Sequence, residues 1–255
     1  MSAITKLIAM LTCLIIALGC FASCEVPEEP EDLQTDKYVA TVTTRFTSED
    51  SKMKDALDAA GDSVLTLTVN GNDVRVASAV EINNISMEVD YIYTAGMLYH
   101  SQSIKVGDKQ VTTLKKAAMS DADKEALLES VGAAANIEID DFDIHQKIES
   151  GDKLSYTCTG ISDEAKSGLC SIVKDKLSYM SATVALTDAT YKEVQYKGRI
   201  QSSTLSCDFI VTVDGVEYAI TMETEYQYDF DASARVVMPS DTSMYTKVEL
   251  SDIIK

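Results

Sequence analysis

The chain has 255 residues, enough for one large domain or two small ones with a sizeable core. Its 41 Asp and Glu against 22 Lys and Arg leave a formal charge of −19, which excludes non-specific binding to nucleic acid, because phosphates must be met by Lys and Arg. With no Trp and only two His, histidine-based metal sites and Ser-His-Asp chemistry start from a poor supply of residues.

At the N-terminus Lys6 is followed by an apolar run from Leu7 to Leu18, of secretory length and too short to span a membrane comfortably. It ends in Leu18-Gly19-Cys20-Phe21-Ala22-Ser23-Cys24, small residues before a cysteine, twice. This stretch resembles a bacterial lipoprotein signal, in which signal peptidase II cuts before a Cys that carries the diacylglyceryl anchor. The resemblance implies an extracytoplasmic protein tied to the cell membrane by an N-terminal lipid. Ala17 and Phe21 stand three residues before the two candidates, where an aliphatic residue is usual. Gly19 favours Cys20. The polar start Glu25-Val26-Pro27 favours Cys24, which is preferred because cleavage at Cys20 would leave Phe21 against the lipid. Ordinary secretion after Ala22 or Ser23 is the alternative. Residues 1–23 are thus the signal. Residues 24–36 are acidic, hold two of the three prolines and form a disordered tether, with the folded domain expected over 37–255.

Tyr38 to Phe46 is rich in β-formers, and Ser48 can cap a helix carrying Met53, Ala56, Leu57 and Ala60, ended by Gly61. A meander follows. Asn70-Gly71 joins Leu65, Leu67 and Val69 to Val74 and Val76, and Asn83-Asn84 joins Val80 and Ile82 to Ile85 and Met87. Two-residue turns pair Leu67 with Val74, Val74 with Tyr93 and Val76 with Tyr91. Ala95-Gly96 and Gly107-Asp108 extend the meander through Leu98–Val106 and Gln110–Leu114.

Ser120 and Asp123 form a capping box ahead of Ala126, Leu127, Leu128 and Val131. Ile137–Ile148 and Leu154–Thr159 read as a hairpin across Ser150-Gly151. Ser162 caps a helix whose stripe is Ala165, Leu169, Ile172, Val173, Leu177 and Met180. Strands over Ala182–Leu186 and Lys192–Ile200 then lead to the strongest signal in the chain.

From Ser203 the odd residues Leu205, Cys207, Phe209, Val211 and Val213 are apolar. After Asp214-Gly215 the even ones, Val216, Tyr218, Ile220, Met222, Tyr226, Tyr228 and Phe230, continue that face. Asp-Gly suits a type I′ turn, and the turn pairs Val213 with Val216, Val211 with Tyr218, Phe209 with Ile220 and Cys207 with Met222. Ala234–Met238 before Pro239 is the last expected strand.

Strands joined by tight turns make an antiparallel sheet, and one-stripe helices need its dry face to lie on. The class is α+β: a large curved antiparallel sheet with two to three helices on its concave face, in one domain. That pattern over residues 37–250, behind a lipoprotein signal and acidic tether, resembles the half-barrel of the lipoprotein carrier LolA and of Gram-positive lipid-carrying lipoproteins. The closest local likeness runs from Asp214-Gly215-Val216-Glu217-Tyr218 through Tyr226-Gln227-Tyr228 to Val236-Val237-Met238-Pro239. The resemblance implies an apolar ligand, a lipid, held between sheet and helices, and carries over no binding residue.

Asp141, Asp143 and His145 alternate and could share a strand face toward a metal, but alternation on an exposed strand is common and no second ligand cluster completes the set. His100 reads as a rim residue with no Ser or Cys nucleophile motif beside it. Cys158 and Cys170 are the most natural bridge by position, although Cys170 adjoins an apolar stripe and Cys207 sits on a dry face, which favours packed thiols. Tyr91, Tyr93, Tyr226, Tyr228 and Phe230 read first as core and strand-end packing, with ligand lining as the alternative.

No glycine-rich phosphate loop or other cofactor motif is present, and no catalytic constellation. The expected function is a non-enzymatic lipoprotein that binds or carries an apolar ligand, lined by Phe209, Val211, Tyr218, Ile220, Met222, Leu169, Ile172 and Val173. The alternative is a structural lipoprotein with a filled core and an envelope protein partner.

Overall fold

Period-two alternation recurs between almost every pair of turns, and the chain answers it with strands. The computed structural model describes residues 37–82, 85–124, 137, 139–176, 182–230 and 235–254. Its elements run β1 (Lys37–Thr47), α1 (Ser51–Ala60), β2 (Ser63–Asn70), β3 (Asp73–Ile82), β4 (Ile85–Thr94), β5 (Met97–Val106) and β6 (Lys109–Ala118). They continue with β7 (Phe142–Ser150), β8 (Lys153–Ile161), α2 (Asp163–Lys176), β9 (Ala182–Tyr196), β10 (Arg199–Val213), β11 (Val216–Asp229) and β12 (Thr246–Lys247).

All twelve strands belong to one open, curved sheet in the order β12-β6-β5-β4-β3-β2-β1-β11-β10-β9-β8-β7, so the fold is broadly α+β. Every pairing is antiparallel except the two-residue β12, which lies parallel to β6. β1, first in sequence, sits centrally between β2 and β11. Among the described residues no helix is long and apolar enough to cross a membrane.

The β10–β11 hairpin has the register that its turn demands: Val213 faces Val216, Val211 faces Tyr218, Phe209 faces Ile220 and Cys207 faces Met222. Asp214 and Gly215 both have positive φ, 54° and 78°, as a type I′ turn requires. The pairs Val74–Tyr93 and Val76–Tyr91 also occur. The β2–β3 turn, however, is centred on Gly71-Asn72, because Asn70 stays in the ladder opposite Asp73. Val69 therefore meets Val74 and Leu67 meets Val76, not Val74. A shift of two residues keeps the same face buried, so hydrophobic pattern could not separate these registers.

Other boundaries move for local reasons. Asp50, not Ser48, caps α1: its carboxylate accepts from the Met53 N–H at 2.9 Å, while the Ser48 hydroxyl donates to the Ala219 carbonyl. Gly61 ends α1 as expected. Ser120 and Asp123 make their reciprocal capping bonds and Ser162 caps α2. The residues expected to follow Asp123, namely Ala126, Leu127, Leu128 and Val131, lie outside the described residues, as do Asn83-Asn84, Leu177 and Met180. β7 starts at Phe142, after a 3-10 turn over Ile139–Asp141, and its turn to β8 is Gly151-Asp152. Arg235 to Pro239 form no strand.

Two bulges reshape β9 and β10. Phe209 pairs with Leu186 but Asp208 pairs with Asp188, leaving Thr187 as the extra residue. The buried set on β9 accordingly switches from even (Leu186) to odd (Ala189, Tyr191, Glu193). That parity break hides a single 15-residue strand behind what reads as two short ones. The second bulge leaves Gln201 unpaired with β9, shortly after a turn at Lys197-Gly198, where both residues have positive φ.

The inner face, the one carrying most of the buried side chains, holds two apolar clusters. The first contains Phe46, Met53 and Leu57 of α1, Leu169 of α2, and Leu186, Leu205, Cys207, Phe209, Val211, Ile220 and Met222. The second contains Ala40, Val42, Leu65, Leu67, Val74, Tyr93, Leu98, Met119, Tyr226 and Ile253. Full burial of each large side chain contributes about 1.5–3 kcal/mol. Between the clusters, Thr44 and Thr224 face each other across β1 and β11, both buried, with their hydroxyls 3.2 Å apart.

α2 lies along β9 where β8 stops: the β8–β9 ladder ends at Thr159–Thr190, and α2 covers the stretch beyond it. There the Cys170 sulfur accepts the Leu186 N–H at 3.2 Å, satisfying a donor that no ladder reaches.

Candidate functional site

Five of the residues expected to line a ligand space meet in the first cluster: Leu169, Phe209, Val211, Ile220 and Met222 are each 3–4 % exposed, with Tyr218 half-buried against them. Their packing is side chain on side chain, with Met53 and Leu57 of α1 closing over them. Ile172 and Val173 belong to α2, but their side chains lie outside the described residues. Cys20 and Cys24 lie outside them too. A ligand at this position would have to lift a helix from the sheet.

The other candidates fall as follows. Cys158, Cys170 and Cys207 are free thiols, and Cys158 and Cys207 are fully buried. Burial, with Asp208, Asp188 and Cys170 nearby, pushes the Cys207 thiol up to about 12. Among the described residues no three potential metal ligands converge: Asp141 sits in the 3-10 turn, and His145 is hydrogen-bonded to the Phe142 carbonyl.

His100 is buried rather than at a rim, its ring stacked on Tyr91 at 4.7 Å and its cross-strand partner Lys115. Burial and the Lys115 charge lower its pKa. Tyr93 and Tyr226 are core residues of the second cluster, with Tyr91 and Tyr228 packed against it.

Sequence reasoning missed two features. The first is a corner of the inner face that nothing among the described residues covers. Ile85 pairs with Val106, Met87 with Ile104 and Ile104 with Val111, so all five point to one side. Counting along each strand, that side also carries Tyr93, Leu98 and Ala117 of the second cluster. Yet Val111 is 68 % exposed, Val106 53 %, Ile85 49 % and Ile104 37 %. The turns at Ala95-Gly96 and Gly107-Asp108 made β5 and β6 legible as strands, but burial was not, since strands alone do not say how far their cover extends.

The second is a pocket of about 350 Å³ at the end of the β9–β10 hairpin, lined by Tyr196, Lys197, Arg199, Gln201, Tyr228, Asp229 and Phe230. Arg199 is only 7 % exposed, with its guanidinium carbon 5.1 Å from the Phe230 ring centroid. Another hollow, of about 540 Å³, is bordered by polar residues such as Ser48, Lys54, Asp208 and Thr221 and equally by the apolar Phe209, Ile210, Ala219 and Ile220. In it the Asp208 carboxylate accepts from the Thr221 hydroxyl at 2.6 Å.

No family model and no curated protein matches this chain. Among solved structures it is similar to the ywiB protein of Bacillus subtilis, at 10 % identity over 75 % of this chain and 92 % of that one, with a TM-score of 0.21. It is also similar to a 12:0-ACP thioesterase of Umbellularia californica, at 9 % identity over 76 % and 74 % of the two chains and a TM-score of 0.14. An acyl-CoA thioesterase II, TesB2, of Mycobacterium marinum follows at 8 % identity, 80 % and 85 % coverage and a TM-score of 0.11. Scores this low carry no argument about fold or activity.

Proposed function

We propose that this chain is a non-enzymatic bacterial lipoprotein, held outside the cytoplasm by an acylated Cys24 or Cys20, that binds an apolar ligand, a lipid, on the inner face of its curved sheet. The observation that carries this reading is the corner formed by Ile85, Ile104, Val106 and Val111, which no described residue covers and which shares its sheet face with the second core cluster. Contiguous exposed apolar surface on a soluble fold is costly unless something covers it. The half-barrel reading, with α1 and α2 in the concavity, supports the same assignment, because it places that corner on the side where such folds hold acyl chains. The liners around Phe209 and Leu169 then form the closed floor beneath the helices, and the open corner is where the ligand enters.

A second reading, an interaction lipoprotein with an envelope protein partner, is favoured by the tight packing of Phe209, Val211, Ile220, Met222 and Leu169. Native mass spectrometry separates the two. The chain with Cys20 and Cys24 changed to Ala, purified without detergent, should carry extra mass that organic solvent releases as lipid. Val111→Asp with Ile104→Asp should lose that mass while keeping the circular dichroism spectrum of the parent. Bare polypeptide mass, unchanged after incubation with vesicles of envelope lipids, would remove the carrier reading and leave the protein partner.

A further inference from the structure

Arg199 opens β10 immediately after the Lys197-Gly198 turn and is buried, unlike its exposed β9 partner Tyr196, and the Gln201 bulge separates this pair from the rest of the strand. Opposite it, Phe230 continues the parity of Tyr226 and Tyr228, and the Tyr228 and Phe230 rings stack at 6.2 Å. The guanidinium rests on Phe230, and its Nε and Nη2 atoms are buried with no hydrogen-bond partner among the described residues.

Those two atoms form the edge that takes an oxyanion side-on, two parallel N–H groups matching two oxygens. The same chain shows that edge filled twice. Arg45 donates from Nε and Nη2 to the two Asp62 oxygens at 2.9 and 2.5 Å. Arg75 does the same to Asp90 at 2.9 and 3.1 Å.

Those two pairs are half-exposed, where an ion pair is worth little. Arg199 is far more buried, where an uncompensated charge is costly. With 41 acidic residues in the chain a carboxylate partner would be easy to supply. Among the described residues, the carboxylates of the adjoining strand ends are otherwise engaged. Glu193, buried on β9, accepts from the Tyr191 hydroxyl and the Gln195 amide, both at 2.6 Å. Asp229 is exposed, has the opposite strand parity and makes interactions of its own.

We propose that the Nε/Nη2 edge of Arg199 is the receptor for an oxyanion, a carboxylate or phosphate group, bound in the pocket between Phe230, Tyr228 and Gln201. Lys197 at the turn adds a second positive charge beside the opening, and the aromatic walls suit a ligand whose anionic group is attached to an apolar body. About 350 Å³ is enough for a small ligand or for the head of a larger one. This site is separate from the apolar corner. The end of β11 near Arg199 pairs with the start of β1, and the start of β1 with the end of β2, whereas the corner lies at the opposite ends of β3 and β4. The two ideas therefore succeed or fail independently.

The test is calorimetric titration and thermal melting of the full chain with three probes, inorganic phosphate, acetate and dodecanoate, against sodium chloride at equal ionic strength. Saturable binding by at least one probe, with a melting temperature that rises with its concentration, is expected. Arg199→Met should abolish it, and Arg199→Lys, which keeps the charge but loses the fork, should weaken it at least tenfold. Phosphate or acetate alone would identify a free oxyanion as the ligand. Dodecanoate binding at least tenfold tighter than acetate would identify an acyl carboxylate. Equal melting shifts in the parent and Arg199→Met, or no binding of any probe, would overturn the proposal. Should Arg199→Met fail to fold, Phe230→Leu with Lys197→Ala supplies the same comparison without removing the buried charge.

Discussion

Thr44 and Thr224 are the clearest case of a single contact deciding local structure. They sit on the inner face of the two central strands, between Val42 and Phe46 on β1 and Met222 and Tyr226 on β11, with the buried Ser63 opposite Thr44 on β2, and their hydroxyls are hydrogen-bonded at 3.2 Å. Replacing one leaves a buried hydroxyl without its partner, whereas replacing both removes the requirement. Thr44→Val should therefore lower stability by about 1–3 kcal/mol in urea unfolding, and Thr44→Val with Thr224→Val should recover most of that loss. His100 gives a pH-dependent counterpart. Its folded pKa is lowered by burial and by Lys115, while in the unfolded chain it titrates near 6.5. Just below that pH the unfolded state binds more protons, so stability is undiminished above about pH 7 and falls as pH drops through 6.5 toward the folded pKa. Unfolding curves between pH 7.5 and 5 should show this fall, and His100→Phe, which can keep the stack on Tyr91, should flatten it.

At the scale of elements, the C-terminal segment does what no periodicity announced. β12 adds two residues to the edge of β6, and the Val248 N–H reaches the Lys116 carbonyl at 2.9 Å. Lys115 and Lys116 donate from their ammonium groups to the carbonyls of Asp252 and Thr242. Tyr245 meets Tyr99 edge to face at 5.4 Å, and Ile253 plugs into the second cluster. The segment thus closes one edge of the sheet and part of its inner face. Ile253→Ala should cost about 2–5 kcal/mol by thermal or urea unfolding, as for a core isoleucine. A loss below about 0.5 kcal/mol would show that the segment is not bound as described.

Over the whole molecule, one sheet serves two cores, and each is roofed differently: the first by α1 and α2, the second by the C-terminal segment around Val248, Leu250 and Ile253. Among the described residues no roof reaches the far ends of β4 to β6, where the apolar corner lies. The opposite edge of the sheet is β7, whose Ile144 and Ile148 are exposed while Lys147 and Glu149 pair at 2.7 Å. Charges on an edge strand oppose pairing with a second sheet. The net charge of −19 works in the same direction between molecules.

Alternation and turn chemistry were enough to read the antiparallel sheet, the β10–β11 register, the Ser162 cap of α2 and the apolar residues of the first cluster, while the cap of α1 was read two residues early, at Ser48 rather than Asp50. These are local properties, set by side-chain parity and by the φ values that Asp-Gly demands. The sequence was ambiguous wherever two solutions bury the same face, as at Gly71-Asn72, and misleading where the Thr187 bulge reversed parity within one strand. The rest depended on partners distant in the chain. Whether Arg199 finds a carboxylate, where the cover over β4 to β6 ends, and where the last segment lies are settled only when strands far apart in sequence share one sheet.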